Sequence, residues 1–354
     1  MENGLEMEIN NISESYINIS GNIYDSEFVN LANVRNDKIS FDDKALFLTK
    51  EKKELLNSEK IKKINDVIYI FKHKECYGII CDIPIKEYNE GKIKCHELII
   101  KDTVLSMLSN LHYYNCEVAP VLLAHKRKAN YLSYIESKSF KEYFTIGDIE
   151  IYAFCGREAR KIADEFSKIN DLYVADGHHR LYVTSLSNFK TSVLSCVISF
   201  EYLNIFPIYR VIHNLDVEIL KKAAEFIKNK FDIFPSETPL SKGKISIKYN
   251  DESFIVKLID LKGDDFWNND IYRLNTQIIS QAFRIFDNGN IKYLSHREFN
   301  NPKLELDNKD VLIEMYPVEK YEFIKCVDNK FVMPPKSTCF IPKFPSFLVF
   351  KKYK

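Results

Sequence analysis

Four stretches of the chain concentrate side chains able to do chemistry. The first, Val174-Ala175-Asp176-Gly177-His178-His179-Arg180, follows an apolar run and precedes LYVTSL. It reads as a strand ending in Asp-Gly and a helix opening on His-His-Arg. Unpaired N–H groups at a helix N-terminus carry partial positive charge and bind anions. Gly177 lets a ligand approach the backbone closely. Arg180 adds a planar fork of donors suited to phosphate oxygens, and His178 and His179 can donate to the same group. Asp176 sits poorly beside a phosphate unless it binds a cation or takes a proton. The competing reading is a capped helix with a turn glycine and two surface histidines. Four chemically capable residues in a row behind an apolar strand favour function.

The second stretch is Lys94-Cys95-His96-Glu97. Glu97 beside His96 is a candidate general base. A lone His-Glu pair is more often a surface pair, and no second His follows at i+4 from His96, so the zincin pattern is absent. The third is Met333-Pro334-Pro335-Lys336-Ser337-Thr338, followed by Phe340, Pro342 and Lys343. Two prolines stiffen the approach, and Lys-Ser-Thr offers an ammonium and two hydroxyls. The glycines of a Walker A loop are missing, and a Pro-rich turn before an edge strand explains the spacing equally well. The fourth is Arg210 in FPIYRVIHNL. An arginine inside an apolar strand is costly unless paired or liganded, and a structural salt bridge is the first explanation. His73, His112, His125, His213 and His296 stand alone and read as structural.

The elements around these stretches suggest mixed α/β architecture. VIYIFKH, YGIICDIPI, VAPVLLAHK, IEIYAFC, SVLSCVISF and FPIYRVIHNL read as strands, and SIKYN with SFIVKLID as a hairpin around Asn250-Asp251. Helices are expected from Ile100 to His112, Gly156 to Ile169, Val217 to Lys230 and Asp270 to Phe286, and as a charged, solvated helix from Lys50 to Lys63. No linker divides the chain cleanly. The expected division is an N-terminal lobe over 1–215 with the His-Glu and Asp-Gly-His-His-Arg motifs and a C-terminal α/β lobe over 216–354 with Lys-Ser-Thr.

Composition narrows the function class. Fifty Lys+Arg balance fifty Asp+Glu in 354 residues, which argues against a nucleic-acid partner. No run of ~18 apolar residues suggests a membrane span. The N-terminus resembles neither a signal nor a transit peptide. Eight cysteines without C-x-x-C spacing read as reduced thiols in a cytosolic protein and give no zinc ligand pairs.

Taken together, YVADGHHR, IKCHE with Pro120 behind it, FPIYRVI and MPPKSTCFIPK resemble, in this order, the motifs of the DUF1015 family, from about Ile68 to the C-terminus. The resemblance implies a ParB/sulfiredoxin-like core and kinship with free serine kinases, some of which phosphorylate L-serine from inorganic pyrophosphate with Mg²⁺ to give O-phospho-L-serine. On that resemblance, Gly177 to Arg180 and Lys336 to Thr338 hold the donor phosphates. Asp176 is a catalytic residue and magnesium ligand, Glu97 the base, and His96 and Arg210 substrate contacts. The implied partners are L-serine and pyrophosphate, with neither nucleic acid nor membrane, in a monomer or small homo-oligomer. The chain departs from the family pattern at Ile99, where a Thr is usual, at Ser106-Met107, in place of Asp-Arg, and at Ile23-Tyr24-Asp25, a reduced Pro-Pro-Tyr-Asp. These departures point to altered substrate contacts or lost activity. The alternatives are an ATP- or ADP-dependent serine kinase and a non-catalytic ParB-like nucleotide-binding regulator.

Overall fold

The computed structural model describes residues 6–21, 32–35, 38–41, 60–250, 252–263, 266–287, 289–307 and 309–354. They form mixed α/β structure in two compact units. One contains residues 1–95, 99–204 and 342–354, and the other 96–98 and 205–341. The expected boundary at 215–216 therefore falls inside the second unit, and His96-Glu97-Leu98 belongs with that unit rather than with its sequence neighbours.

The first unit is built on an eleven-stranded mixed sheet. Its strand order is Ile93–Lys94, Leu172–Asp176, Val121–His125, Ser192–Ser199, Cys76–Pro84, Ile61–His73, Ile12–Asn18, Val349–Lys352 and Cys116–Glu117, with Ile149–Cys155 and Glu142–Ile146 branching from Ile61–His73. Two pairings are parallel, Leu172 against Ile93 and Ser195 against Val121. Its central strands are apolar runs because both faces are covered; Val67, Ile68, Ile70 and Ile79 are fully buried. The helix Arg157–Phe166 packs Ala159, Ile162, Ala163 and Phe166 into this core, as their spacing predicts.

Of the charged stretch Lys50–Lys63, residues 50–59 lie outside the described residues, as do Ile23-Tyr24-Asp25. Ile61–Lys63 are strand, not helix. Lys62 and Lys63 pair across to Ile17 and Tyr16, and this distant partner strand overrides the local helical pattern.

The second unit holds a six-stranded sheet in the order Asp232–Pro235, Glu252–Lys257, Lys244–Tyr249, Val311–Met315, Tyr209–Ile212, Ile291–Leu294. All its pairings are antiparallel. The helix Val217–Lys230, capped by Asp216, lays Leu220, Ala223 and Ile227 on its core. The expected hairpin forms with Asn250 in the left-handed region, φ +49°; Asp251 lies outside the described residues. The long helix expected from Asp270 to Phe286 is replaced by one α-turn, Asp270–Arg273, and a π-helix, Leu274–Ser280. Two polar residues on this segment are buried and tied to one neighbouring strand end. Arg273 pairs with Asp270 and Asp260, and Gln277 bonds both backbone groups of Ile259. Apolar periodicity does not reveal such anchors, and wide turns of this kind occur where side chains interrupt a regular helix. No helix among the described residues is long and apolar enough to cross a membrane.

Candidate functional site

In the first unit the strand Leu172–Asp176 ends, Gly177 turns at φ +102°, and the helix His178–Ser185 begins. A side chain at residue 177 is doubly disfavoured: the left-handed backbone suits glycine, and a Cβ would sit 3.0 Å from the Arg180 guanidinium. That guanidinium donates to the carbonyls of Ala119 and Pro120 at 2.6 and 2.7 Å and to Asp176 Oδ2 at 2.6 Å. Lys343 donates to the other Asp176 oxygen at 2.7 Å. Burial acts to raise the Asp176 pKa, but Lys343 and Arg180 outweigh it and hold the carboxyl down at about 2. Asp176, Arg180 and Lys343 line a small pocket that is open to solvent.

Lys343 was outside the set of site residues drawn from the sequence. Its signal is the Pro-Lys that closes MPPKSTCFIPK. His178 is buried, and desolvation lowers its pKa to about 4. His179 turns toward Ile100, whose N–H it accepts at 3.0 Å at the mouth of the helix Lys101–Tyr113.

Buried imidazoles give a sign for the pH dependence of stability. Desolvation also lowers His125 to about 4. An unfolded histidine takes its proton near ~6.5. Between these values the unfolded chain binds more protons, so stability is full above the unfolded pKa and is lost as pH falls. Each histidine withdraws roughly 3 kcal/mol across that window. Glu97 and Asp82, whose pKa values burial raises, offset part of this at its acidic end. Denaturant titrations at pH 7.5 and pH 5 should show the loss, and a flat profile would place both imidazoles in water.

The second unit assembles the other candidates. His96 is fully buried. Its Nε2 lies 2.9 Å from Thr338 Oγ1, its carbonyl accepts from Met333 N–H at 2.6 Å, and its ring meets the Phe323 ring edge-on at 4.7 Å. Glu97 forms an isolated parallel bridge with Met333. Its carboxylate accepts the Ser337 N–H at 3.1 Å, and the neighbouring backbone of Lys336 and Thr338 helps to stabilise its charge. Burial raises the Glu97 pKa against these stabilising contacts. Lys336 is a non-glycine residue at φ +61°. Ser337 Oγ donates to Pro334 O. The Ser337 and Thr338 hydroxyls thus have internal partners, and it is the backbone of this segment that faces an acid.

Arg210 is 1% exposed. It donates to Ile208 O at 2.9 Å and reaches Lys336 O at 3.4 Å, and its guanidinium lies 5.5 Å from the Tyr293 ring centre. Among the described residues no carboxylate pairs with it, and its Nε has no partner. The expected structural salt bridge is therefore not seen among them. Desolvation lowers its pKa to about 10, which leaves it charged at neutral pH.

The donor set does not fit a resident magnesium ion as it stands. No group of three His, Cys, Asp or Glu converges among the described residues. Both oxygens of Asp176, the expected ligand, are held by cations.

Comparisons with known proteins place the chain. No curated protein sequence matches it. Among solved structures it is similar to C-terminally truncated SbnI from Staphylococcus aureus, at 13% identity and a TM-score of 0.44 over 75% of this chain and 85% of that one. It is also similar to a mutant free serine kinase in complex with ADP, at 12% identity and a TM-score of 0.44 over 75% and 88%. A conserved hypothetical protein from Pyrococcus furiosus shows 14% identity and a TM-score of 0.43 over 75% and 93%. A family model described as "Protein of unknown function (DUF1015)" matches residues 52–277, more than half of the chain and the part that carries His96-Glu97, Asp176–Arg180 and Arg210. On that match, the chain belongs to the DUF1015 family.

Proposed function

We propose that the protein is a phosphotransferase acting on free L-serine, with inorganic pyrophosphate as donor and O-phospho-L-serine as product. The observation that carries this reading is Glu97, a partly buried carboxyl whose pKa desolvation raises, held in place by the Ser337 N–H of the Lys-Ser-Thr segment. A base for a hydroxyl works best when its pKa approaches the working pH, and desolvation moves a carboxyl that way.

In the transfer, the serine Oγ forms a bond to the terminal phosphorus of pyrophosphate as the bridging P–O bond breaks and inorganic phosphate leaves. The hydroxyl proton passes to Glu97. Catalysis of such a step is mostly positioning and charge stabilisation. Within the first unit, Arg180, Lys343 and the N–H groups opening the helix at His178 suit phosphate oxygens, with Asp176 keeping the two cations together before a ligand arrives. Arg210 suits the substrate's carboxylate. The absence of a glycine-rich nucleotide loop and of the protein-kinase motifs favours a donor smaller than ATP.

The test is phosphoserine formation from L-serine with pyrophosphate, ADP and ATP in parallel, in magnesium buffer, with labelled pyrophosphate as control against contaminating kinases. Product from pyrophosphate supports the proposal. Product from a nucleotide alone reassigns the donor, and binding without product makes the protein a sensor.

Arg210 gives a second check. A buried cation without a counter-ion costs stability, so Arg210→Met should leave the melting temperature unchanged or higher while weakening L-serine binding at least about tenfold, on the scale of a lost charge-assisted hydrogen bond. A clear fall in melting temperature with unchanged binding would assign Arg210 to the fold.

A further inference from the structure

His96 is fully buried. A side chain without exposed surface acts on a ligand through its neighbours, and the neighbours of this imidazole are the two parts of the second unit that carry the proposed chemistry. Its Nε2 shares a hydrogen bond of 2.9 Å with Thr338 Oγ1 and lies 3.7 Å from Glu97 Oε1. We propose that His96 is a positioning residue: it clasps the Lys336–Thr338 segment through the Thr338 hydroxyl and so keeps the Ser337 N–H on the Glu97 carboxylate. The proposal rests on the reading of Glu97 as the base of an amino-acid kinase and adds what holds that base in register.

The contacts form a closed set although His96 and Thr338 stand 242 residues apart. Met333 N–H donates to His96 O at 2.6 Å, and Glu97 bridges Met333, which fixes the start of the segment. Ser337 Oγ donates to Pro334 O and closes the turn. At the far end the segment meets the His-Glu pair again, through Ser337 N–H on Glu97 at 3.1 Å and Thr338 on His96. Between the two ends Lys336 is held at φ +61° without being glycine, a backbone geometry that persists where its surroundings enforce it. The imidazole is itself seated. Phe323 meets it edge-on at 4.7 Å and Phe340 at 6.4 Å, favourable arrangements for aromatic rings.

The two distances at Nε2 separate positioning from proton relay. A group that hands a proton on directly must come within roughly 3.2 Å of its partner. At 3.7 Å the Glu97 oxygen is too far from the imidazole for that, whereas the Thr338 hydroxyl is within hydrogen-bond reach. The imidazole therefore serves the base by holding the segment that holds it. Such service has a large effect, because a misplacement of about 1 Å in a reacting group can cost about 10²-fold in rate.

The experiment breaks the clasp from either side in the full chain. Thr338→Val keeps the shape and removes the hydroxyl, His96→Phe keeps the ring and removes the nitrogen, and Thr338→Ser restores the hydroxyl. If one of the first two fails to fold, the other decides. Hydrogen exchange of the Ser337 amide, followed by NMR without substrates, reads the clasp itself. It should quicken at least about tenfold in Thr338→Val and in His96→Phe, no further in the double variant, and return toward wild type in Thr338→Ser. Turnover should follow, with kcat for phosphoserine formation falling about tenfold or more and KM for pyrophosphate unchanged. Unchanged exchange in a folded variant overturns the clasp, as does a raised KM for pyrophosphate with Ser337 still protected, which would make Thr338 a donor contact. A wild-type protein that forms no phosphoserine removes the kinase reading, and the exchange measurement then decides the clasp by itself.

Discussion

Glu97→Gln should lower kcat for phosphoserine formation by about 10²–10⁴-fold, the range a positioned base contributes, with little change in melting temperature. Gln is isosteric with Glu and keeps an oxygen to accept the Ser337 N–H, so the loop Pro334–Thr338 retains its shape. What is lost is the ability to take a proton. Because the contact to the loop is kept, KM for L-serine should change little while kcat falls. A structural role predicts the reverse, a lower melting temperature with both kinetic constants degraded together. Near-normal turnover in a folded Glu97→Gln protein would remove Glu97 from the base role and, with it, the observation on which the phosphotransferase reading rests.

The sequence exposes part of this arrangement and hides the rest for physical reasons. The Asp176–Arg180 turn is legible because its parts are adjacent: an apolar strand, a glycine and four polar residues define a local geometry that the fold keeps. The helices from Lys101, Arg157 and Val217 are legible because 3.6-residue periodicity marks their buried stripes. The environment of Glu97 is not legible. Its neighbours on the chain are polar or exposed, and it is covered by residues some 240 positions away. The His-Glu pair marks it only weakly, and the resemblance adds its role as the base. Lys343 falls outside the site set for the same reason, since its partner Asp176 lies 167 residues earlier. The Asp270–Phe286 stretch misleads in the opposite direction. Its apolar stripe looks α-helical, but the buried Arg273 and Gln277 answer to partners on a neighbouring segment. Nor does any local pattern announce that His96–Leu98 joins the second unit while Pro342–Lys354 returns to the first.

The same long-range pairing produces the strongest stability prediction, for Lys351→Met. Lys351 is nearly fully buried on the strand Val349–Lys352, which lies between Ile12–Asn18 and Cys116–Glu117. Its ammonium pairs with Asp82, donates to Ser192 Oγ at 2.9 Å and lies 4.0 Å from Glu117. Glu117 is fully buried. It accepts from Lys190 at 3.0 Å and from Leu194 N–H at 3.1 Å, and its Oε1 has no partner among the described residues. Lys190 is held further by Thr184 at 2.9 Å. Two lysines thus balance two carboxylates inside the first unit. Burial pushes the Asp82 pKa up and the Lys190 pKa down, so the charges persist only through one another.

Methionine fills the space of the lysine stem but leaves Asp82 and Glu117 sharing one cation. Removing one member of a buried ion pair typically costs about 3–5 kcal/mol, enough to consume much of a domain's stability. Adding Asp82→Leu should recover part of that loss, because the uncompensated charge goes with it, and the coupling in the double-mutant cycle should exceed about 1 kcal/mol. Chemical denaturation of the four proteins decides the matter. A loss below about 1 kcal/mol for Lys351→Met alone would mean that water reaches these groups and that the C-terminal strand is held by its backbone ladder and the ring stack of Phe350 on Tyr16 instead.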